Sequence, residues 1–461
     1  ASSLPPVSSC ASATARGALP PVDPAARRRY EARRAALARA RAELAAAQLG
    51  AAQRSAEVVL NLEGPAAAPQ ERAEAALIAG RAALRRNDYR VARARLLAAI
   101  DTAEVAQLPE VRARAWLSLA ELDGRHLLNT DAAEVDLAHA VAVLQAMPAG
   151  DELRDELEVA RAGHLISRGD GLGAVAAARE ALARREARSG PEHPSLLPVL
   201  VTLSEAYTAA LDSAHAEETA QRALAFARRV FGADDARVAR ALVALALIHQ
   251  EQGRFDEARA ESDTVEAMTQ RHHGASSPAL LPVLLRRVGL ERDAGNAAGA
   301  RAEMARYRAL AEALEAPGDR ALWATNFDAQ EGLNALAAGD AAAAYPLLER
   351  GVVELEKLGV GSDPGLVQLL APLATAAWRT GHPARAREVL DRCFALLGGS
   401  TLPAAGVVGE RWLTALAALE AGHRAAEAWR LADEVRATWS QANDARRLAE
   451  WEQKVRERRG Q

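Results

Sequence analysis

The hydrophobic positions in the middle of the chain recur with the period of an α-helix. Over residues 236–252, Val238, Leu242, Leu245 and Ile248 fall three or four positions apart, so they share one helix face. Polar and charged residues occupy the rest of the same stretch. The pattern predicts an amphipathic helix whose apolar stripe needs a neighbouring helix to be buried.

Glycines separate such helices at a nearly constant interval. One series, spaced 42, 42 and 44 residues apart, comprises Gly190, Gly232, Gly274 and Gly318. A second series, half a unit out of phase and spaced 42, 44, 42 and 41 residues apart, comprises Gly253, Gly295, Gly339, Gly381 and Gly422. Extended backwards by the same period, the second series reaches Leu211 and then Gly169. Because helix ends favour glycine, the two series predict repeated units of helix, turn, helix and loop.

The turn and linker segments of these units resemble those of a known repeat family. Gly253-Arg254-Phe255-Asp256-Glu257-Ala258 resembles the turn inside a tetratricopeptide repeat (TPR) of the kinesin-light-chain type, and Gly190-Pro191-Glu192-His193-Pro194 resembles its linker. An earlier unit, with Gly80, Tyr89 and Ala92, is similar to the ordinary repeat. The paired asparagines often found on first helices are replaced by Val201-Thr202, Val243-Ala244 and Leu285-Arg286. The resemblance implies that first helices line a concave groove.

The predicted fold is therefore all-α, an α-solenoid of about ten TPR-like helix pairs forming a right-handed superhelix with a closing C-terminal helix. The pairs are predicted to begin near residues 33, 72, 110, 151, 194, 235, 277, 319, 363 and 405. Residues 1–24 are predicted to be a Pro/Ser-rich linker, 25–440 the repeat array and 441–461 a capping helix. Leu448, Trp451 and Val455 fall on one side of that last helix.

Composition agrees with stacked helices and narrows the functional classes. Half of the residues are hydrophobic but only 4% are aromatic, and alanine, the strongest helix former, is abundant. The 57 basic and 61 acidic residues give a net charge of −4, which argues against nucleic acid as a partner. No apolar stretch in the chain is long enough to predict a membrane-spanning helix.

The sequence contains no recognisable motif for catalysis or for binding a cofactor or a metal ion. Gly169-Asp170-Gly171-Leu172-Gly173 superficially suggests a nucleotide loop, but the preceding segment has a helical pattern, whereas a phosphate loop follows a strand. We interpret it as a repeat turn. His272-His273 lies where an inter-repeat loop is predicted, without a second ligand pair nearby. The chain is accordingly predicted to carry no enzyme activity of its own.

The predicted function is binding of a protein or peptide in the concave groove. By repeat register, the candidate groove contacts are Glu205, Arg240, Gln250, Arg292, Asn326, Gln368, Trp378 and Arg379. Tryptophan and arginine are common anchors of interfaces. For any single residue, ordinary exposure or packing between repeats is the alternative interpretation.

The entry segment suggests a larger context. Leu4-Pro5-Pro6, then Leu19-Pro20-Pro21, then an Arg/Ala-rich helix resemble the region after the catalytic domain of myxobacterial-type serine/threonine kinases. This resemblance implies a sensor or docking arm, tethered to a bacterial membrane by an upstream segment. The start without methionine and the unpaired Cys10 favour the same expectation, whereas Cys393 is predicted to be a buried thiol. The alternatives are a sensor region of a transcriptional activator or repeat-linked protease, and a free-standing scaffold.

Overall fold

A computed structural model of the chain describes residues 23–46, 48–61, 69–86, 88–126, 129–147, 151–313, 317–357, 366–399, 407–442 and 444–459. Within its helices, the side chains of residues 151, 317–326, 445 and 457–459 are outside the described part. Every regular element in these ranges is helical, which confirms the predicted all-α fold.

Short connections join the helices. The described ranges contain α1 (Pro24–Ala45), α2 (Leu49–Asn61), α3 (Pro69–Arg85), α4 (Tyr89–Val105), α5 (Pro109–Glu121), α6 (Thr130–Gln145), α7 (Asp151–Ser167), α8 (Gly171–Ser189), α9 (Leu196–Ala209), α10 (Ser213–Phe231), α11 (Val238–Glu251), α12 (Phe255–His273), α13 (Leu281–Asp293), α14 (Ala297–Glu312), α15 (Pro317–Ala337), α16 (Ala341–Lys357), α17 (Val367–Arg379), α18 (Pro383–Gly398), α19 (Val408–Glu420), α20 (Ala425–Gln441) and α21 (Ala445–Arg459). A π-helical segment, Leu122–His126, directly follows α5.

Helices α1 to α20 make ten successive pairs, as predicted, and α21 follows them. The two helices of a pair contact each other in α1/α2, in α3/α4 and in every pair from α7/α8 to α19/α20. From α3 onwards, the predicted starts lie within four residues of the observed ones. The first helix begins earlier than predicted, at Pro24, because Asp23 caps it there and accepts a hydrogen bond from the backbone N–H of Ala26.

The helices form two compact units. The first comprises Ala1–Ser118 and Ala142–Pro148, and the second comprises Leu119–Val141 and Ala149–Gln461. In the first unit, a core of small and branched residues joins α1, α2 and α3. The second unit has one core centred on α8 to α12 and another that runs from α15 to α21. Alanine is the commonest residue in these cores, so helix axes can approach closely.

Glycines end the second helices of the middle repeats. Gly190, Gly232 and Gly274 adopt φ of +86°, +92° and +93°, where a Cβ would meet nothing within 4 Å. Backbone conformation rather than crowding therefore favours glycine at these caps. The placement of Gly318 in this series is wrong. Gly318 lies in the first turn of α15, because Pro317, a good first residue of a helix, starts that helix.

The second glycine series marks the turn inside each repeat, as predicted. Its five members adopt φ between +60° and +84°, and Gly169 follows them with +72°. At the register position without a glycine, Leu211 nevertheless has a φ of +62°. The turn geometry is thus kept even where its side chain opposes it.

Helix α21 closes the C-terminal core. Trp451 and Val455 are buried, and the indole N–H of Trp451 donates to the backbone oxygen of Ala432 at 2.8 Å. The same helix also reaches the end of α11, far earlier in the chain. There the Arg447 guanidinium lies 3.7 Å from the Glu251 carboxylate, and burial raises the pKa of Glu251.

Cys393 is fully buried in α18, as predicted. Burial raises the pKa of its thiol to about 12. Cys10 lies outside the described residues. Within the described ranges, no helix has the length and apolar character needed to cross a membrane.

Candidate functional site

The first helices of successive pairs approach each other closely in the second unit. Contacts join α7 to α9, α9 to α11, α13 to α15, α15 to α17 and α17 to α19. Successive second helices in the described part have no comparable contact. In a curved stack, the elements on the inner side are the ones drawn together. The first helices therefore line the concave side of the stack, and we call this surface the inner face.

An ion pair crosses the inner face at α9. Arg125, in the π-helical segment, donates from its Nη2 to Oε2 of Glu205 at 2.6 Å. The Arg125 side chain passes over Gly163 of α7, where a Cβ would lie 3.5 Å from the Arg125 Cδ. The charge of Glu205 raises the pKa of Arg125. Because the π-helical insertion shifts the register of its residues, it lets Arg125 reach beyond the neighbouring repeat.

The charge of Glu205 also acts on Arg286. Arg286 lies on α13 and is half-buried, and it makes no hydrogen bond or ion pair with another described residue. Burial lowers the pKa of its guanidinium, and Glu205 is the charge that opposes this effect. Since Glu205 is already bonded to Arg125, one carboxylate acts on two guanidinium groups.

Arg292 ties α13 to α15 through neutral acceptors. Its Nη1 donates to Oε1 of Gln330 at 2.9 Å and lies 3.4 Å from Oδ1 of Asn334. Its Nη2 lies 3.6 Å from where a Cβ would stand on Gly289, one turn after Arg286. Burial lowers the pKa of Arg292, and Asp293 opposes that shift.

The Asn334 side chain is 8% exposed, and its Nδ2 is buried without a hydrogen-bond partner in the described part of the chain. Because Oδ1 faces the Arg292 guanidinium, the amide nitrogen must point elsewhere. Together, Arg286, Arg292, Gln330 and Asn334 form what we call the donor cluster.

At the junction between α17 and α19, the donor side chains are paired with carboxylates. Gln368 of α17 donates to Oε1 of Glu410 on α19 at 2.7 Å. Arg379 donates to both carboxylate oxygens of Glu420, at 2.6 and 3.1 Å. This hydrogen bonding raises the pKa of Arg379.

The remaining predicted contacts differ in their surroundings. Gln250 donates to Oδ2 of Asp293 at 2.7 Å, which ties α11 to α13. Trp378 is half-buried against the C-terminal core, whereas Arg240 is exposed and has no partner in the described part. The side chain of Asn326 lies outside the described residues. Four of the eight predicted residues, Gln250, Arg292, Gln368 and Arg379, therefore join neighbouring first helices, and contact of the predicted set with a partner stays a prediction.

Sequence reasoning missed Arg125, Arg286, Gln330 and Asn334 as parts of this surface. A signal for Arg286 was present, since Leu285-Arg286 stands where the resemblance leads one to expect asparagines. The sequence could not show that Arg286 would lack a partner among the described residues. Glu205, the acid that acts on it, is bonded to Arg125, which lies 80 positions from Glu205 in the sequence.

The glycine-rich segment 169–173 and the His272-His273 pair make hydrogen bonds that hold the helix ends and the loop between repeats. Asp170 caps α8 and accepts from the backbone N–H of Gly173 at 2.9 Å, so that segment is a repeat turn. His272 hydrogen bonds through Nε2 with the backbone oxygen of Asp234 at 2.7 Å. In the ranges that the structure describes, no group of three or more metal-binding side chains comes together.

Family models match the middle of the chain. Two models described as "Tetratricopeptide repeat" match residues 165–195 and 212–271. This chain contains tetratricopeptide repeats. The matched residues cover α8, α10, α11 and most of α12, so they include the turns on which the predicted resemblance rests.

Solved structures resemble this chain to different degrees. The crystal structure of a Rap protein complexed with Competence and Sporulation Factor has a TM-score of 0.54 and 14% identity, and the match covers 80% of this chain and 98% of that one. Aspartyl phosphate phosphatase F from Bacillus subtilis has a TM-score of 0.45 and 13% identity over 84% and 99% of the chains. A Podosopora anserina protein described as a kinesin light chain with nearly identical TPR-like repeats has a TM-score of 0.26 and 19% identity over 55% and 99%. No curated protein matches the sequence. At these identities, the likeness concerns the fold alone.

Proposed function

We propose that this chain binds a protein or peptide partner along the inner face of α9 to α19. The observation that carries the proposal is the close approach of α9 to α11 and of α13, α15, α17 and α19 to one another in turn, with a hydrogen bond from Gln250 to Asp293 between the two groups. Arg240, Arg286 and Arg379 are all at least partly accessible on this set of helices. Concave surfaces of this kind are how stacked repeats recognise extended ligands.

The Rap protein of the same architecture gives this proposal a precedent, because its structure was solved with Competence and Sporulation Factor bound. Fold alone does not choose a partner, however. The identity of a ligand for this chain depends on the side chains of its own inner face.

A peptide-display selection against the whole chain, followed by matched variants, tests the proposal. Arg240→Glu reverses an exposed, unpaired charge near the start of the first helix α11. Arg301→Glu makes the same change at an exposed site near the start of the second helix α14. We expect selected peptides to lose about tenfold or more in affinity with the first variant and to keep it with the second. Equal losses, or selection of peptides that only Arg301→Glu weakens, would place binding elsewhere.

Within this proposal, the array serves as the sensor or docking region of a bacterial serine/threonine kinase. The Pro-rich entry and Arg-rich first helix support this context. The DNA upstream should then encode a glycine-rich loop and an Asp-Phe-Gly metal site. An upstream helix-turn-helix or protease domain would instead favour the activator or protease context, and a start site directly before Ala1 would favour a free-standing scaffold.

A further inference from the structure

The inner face of α13 and α15 offers hydrogen-bond donors without matching acceptors. Arg286 has no partner among the described residues, and the Nδ2 group of Asn334 is buried and unsatisfied. Arg292 donates from Nη1 to two uncharged amide oxygens, and these hydrogen bonds do not neutralise its positive charge. Leaving buried donors unpaired is costly, and the cost is largest for charged groups.

Charge balance around this face points in the same direction. The Glu205 carboxylate acts on the guanidinium groups of Arg125 and Arg286, Glu121 also acts on Arg125, and Asp293 acts on Arg292. Glu205 is held by Arg125 at 2.6 Å. Asp293 is half exposed, is bonded by Gln250 at 2.7 Å and lies 3.8 Å from Arg292. Neither carboxylate is therefore free to neutralise Arg286.

Gly289 of α13 carries no side chain beside the donors. Gly289 occupies the repeat position of Glu205, 84 residues later, so α13 presents no side chain at that point. The Arg292 Nη2 lies over this glycine, on the turn that follows Arg286. Arg286 and Arg292 therefore flank Gly289, three residues to either side along α13. A planar guanidinium is suited to binding an oxyanion through two parallel hydrogen bonds.

We propose that an oxyanion, a carboxylate or phosphate group, binds to Arg286 and Arg292 on the inner face of α13 and α15, beside the side chain of Asn334. The inference rests on the proposed function, since it names the ligand chemistry of the same face. The junction between α17 and α19 is not expected to bind an oxyanion, because its donors are already bonded to Glu410 and Glu420.

Inorganic phosphate is the first probe, used with the whole chain. At constant ionic strength, replacing chloride with about 100 mM phosphate should raise the Tm by about 2 °C or more, because a ligand of the folded state stabilises it. Arg286→Gln should abolish this rise. Arg379→Gln, which removes an arginine already paired with an acid, should leave it intact.

Asn334→Asp provides a second variant that does not depend on losing an arginine. The new carboxylate would lie beside Arg292 and supply the missing acid from within the chain. We expect this variant to fold, with a helical circular dichroism spectrum like that of the parent, and to lose the phosphate response. A phosphate response that persists in both Arg286→Gln and Asn334→Asp would overturn the proposal.

Selected peptides then identify the source of the oxyanion. If the peptide carries it, replacing a peptide Asp or Glu with its amide should weaken binding about tenfold in the parent chain but not in Arg286→Gln. A phosphate response without this coupling assigns the site to a free anion. The absence of both effects would overturn the inference. Peptide binding that still depends on Arg240 would leave the proposed function standing in that case.

Discussion

The junctions α13–α15 and α17–α19 both join neighbouring first helices through long polar side chains, yet they differ in charge balance. Between α17 and α19, an arginine meets a carboxylate through two hydrogen bonds, and a glutamine meets a second carboxylate. Between α13 and α15, an arginine crosses to amide oxygens only, with a half-exposed carboxylate 3.8 Å away on its own helix, and a second arginine has no partner among the described residues. One repeat geometry can therefore serve either to fasten the stack or to hold donors ready for a ligand.

The largest difference should appear in thiol reactivity. Cys393 is buried in α18, and the pKa of its thiol is about 12. At pH 8 it should therefore react with iodoacetamide on the order of a thousandfold more slowly in the folded chain than in denaturant. A cysteine in the donor cluster, Gln330→Cys, should react readily, because neighbouring guanidinium groups stabilise its thiolate. Mass spectrometry of the alkylated sites measures both rates in a Cys10→Ser background. Equal rates at the two sites would contradict the contrast.

A smaller effect is expected from breaking the compensated pair. Glu420→Gln should lower the free energy of unfolding by about 1 kcal/mol or less, because the pair is partly exposed and solvent screens it. The double variant with Arg379→Gln should recover part of that loss. A urea titration of the single and double variants gives the coupling energy, and a value of zero would show that this contact does not fasten the stack.

A substitution in the donor cluster should change the free energy of unfolding in the opposite direction. Arg286→Met removes a half-buried charge that has no partner in the part of the chain that the structure describes. It should therefore raise the free energy of unfolding, by up to about 1 kcal/mol without added phosphate. The same urea titration in chloride buffer tests it. Destabilisation by this variant would mean that Arg286 is compensated in solution, and the comparison between the two junctions would then fail.

The smallest effect is expected at Arg240, which is exposed and unpaired. Arg240→Ala should change the free energy of unfolding by no more than about 0.5 kcal/mol. It serves as the baseline for the arginine substitutions. A larger loss would show that Arg240 has a structural contact, and it would no longer be suitable as a probe of binding.

The repeat architecture was predictable from the sequence because its determinants are local. Each glycine at a helix end reports the conformation of its own residue, and the spacing of such glycines gives the length of a unit. The same reasoning failed at Gly318, where the adjacent Pro317 starts a helix instead. It also gave no indication that Leu211 would adopt a turn conformation for which its side chain is poorly suited.

The chemistry of the inner face was predictable only in part. Repeat register brought attention to Arg292 and Glu205, since position along a helix determines the side that a residue faces. Register does not show which charges neutralise each other. The pairing of Arg125 with Glu205 depends on a π-helical segment and on the absence of a side chain at Gly163, and neither feature has a local hydrophobic pattern. Without that pairing, the isolation of Arg286 cannot be inferred.

The contact of α21 with the end of α11 changes how the second unit should lose its structure. A stack in which each repeat touches only its neighbours frays from its ends, since the last repeat has half the usual support. Here Arg447 of the last helix lies against Glu251 of α11, so the C-terminal end has an additional attachment point. Opening α21 breaks contacts at both places together. The contact should therefore add to the protection of the amide hydrogens of α21 against exchange, whereas α11 keeps the protection of its own core.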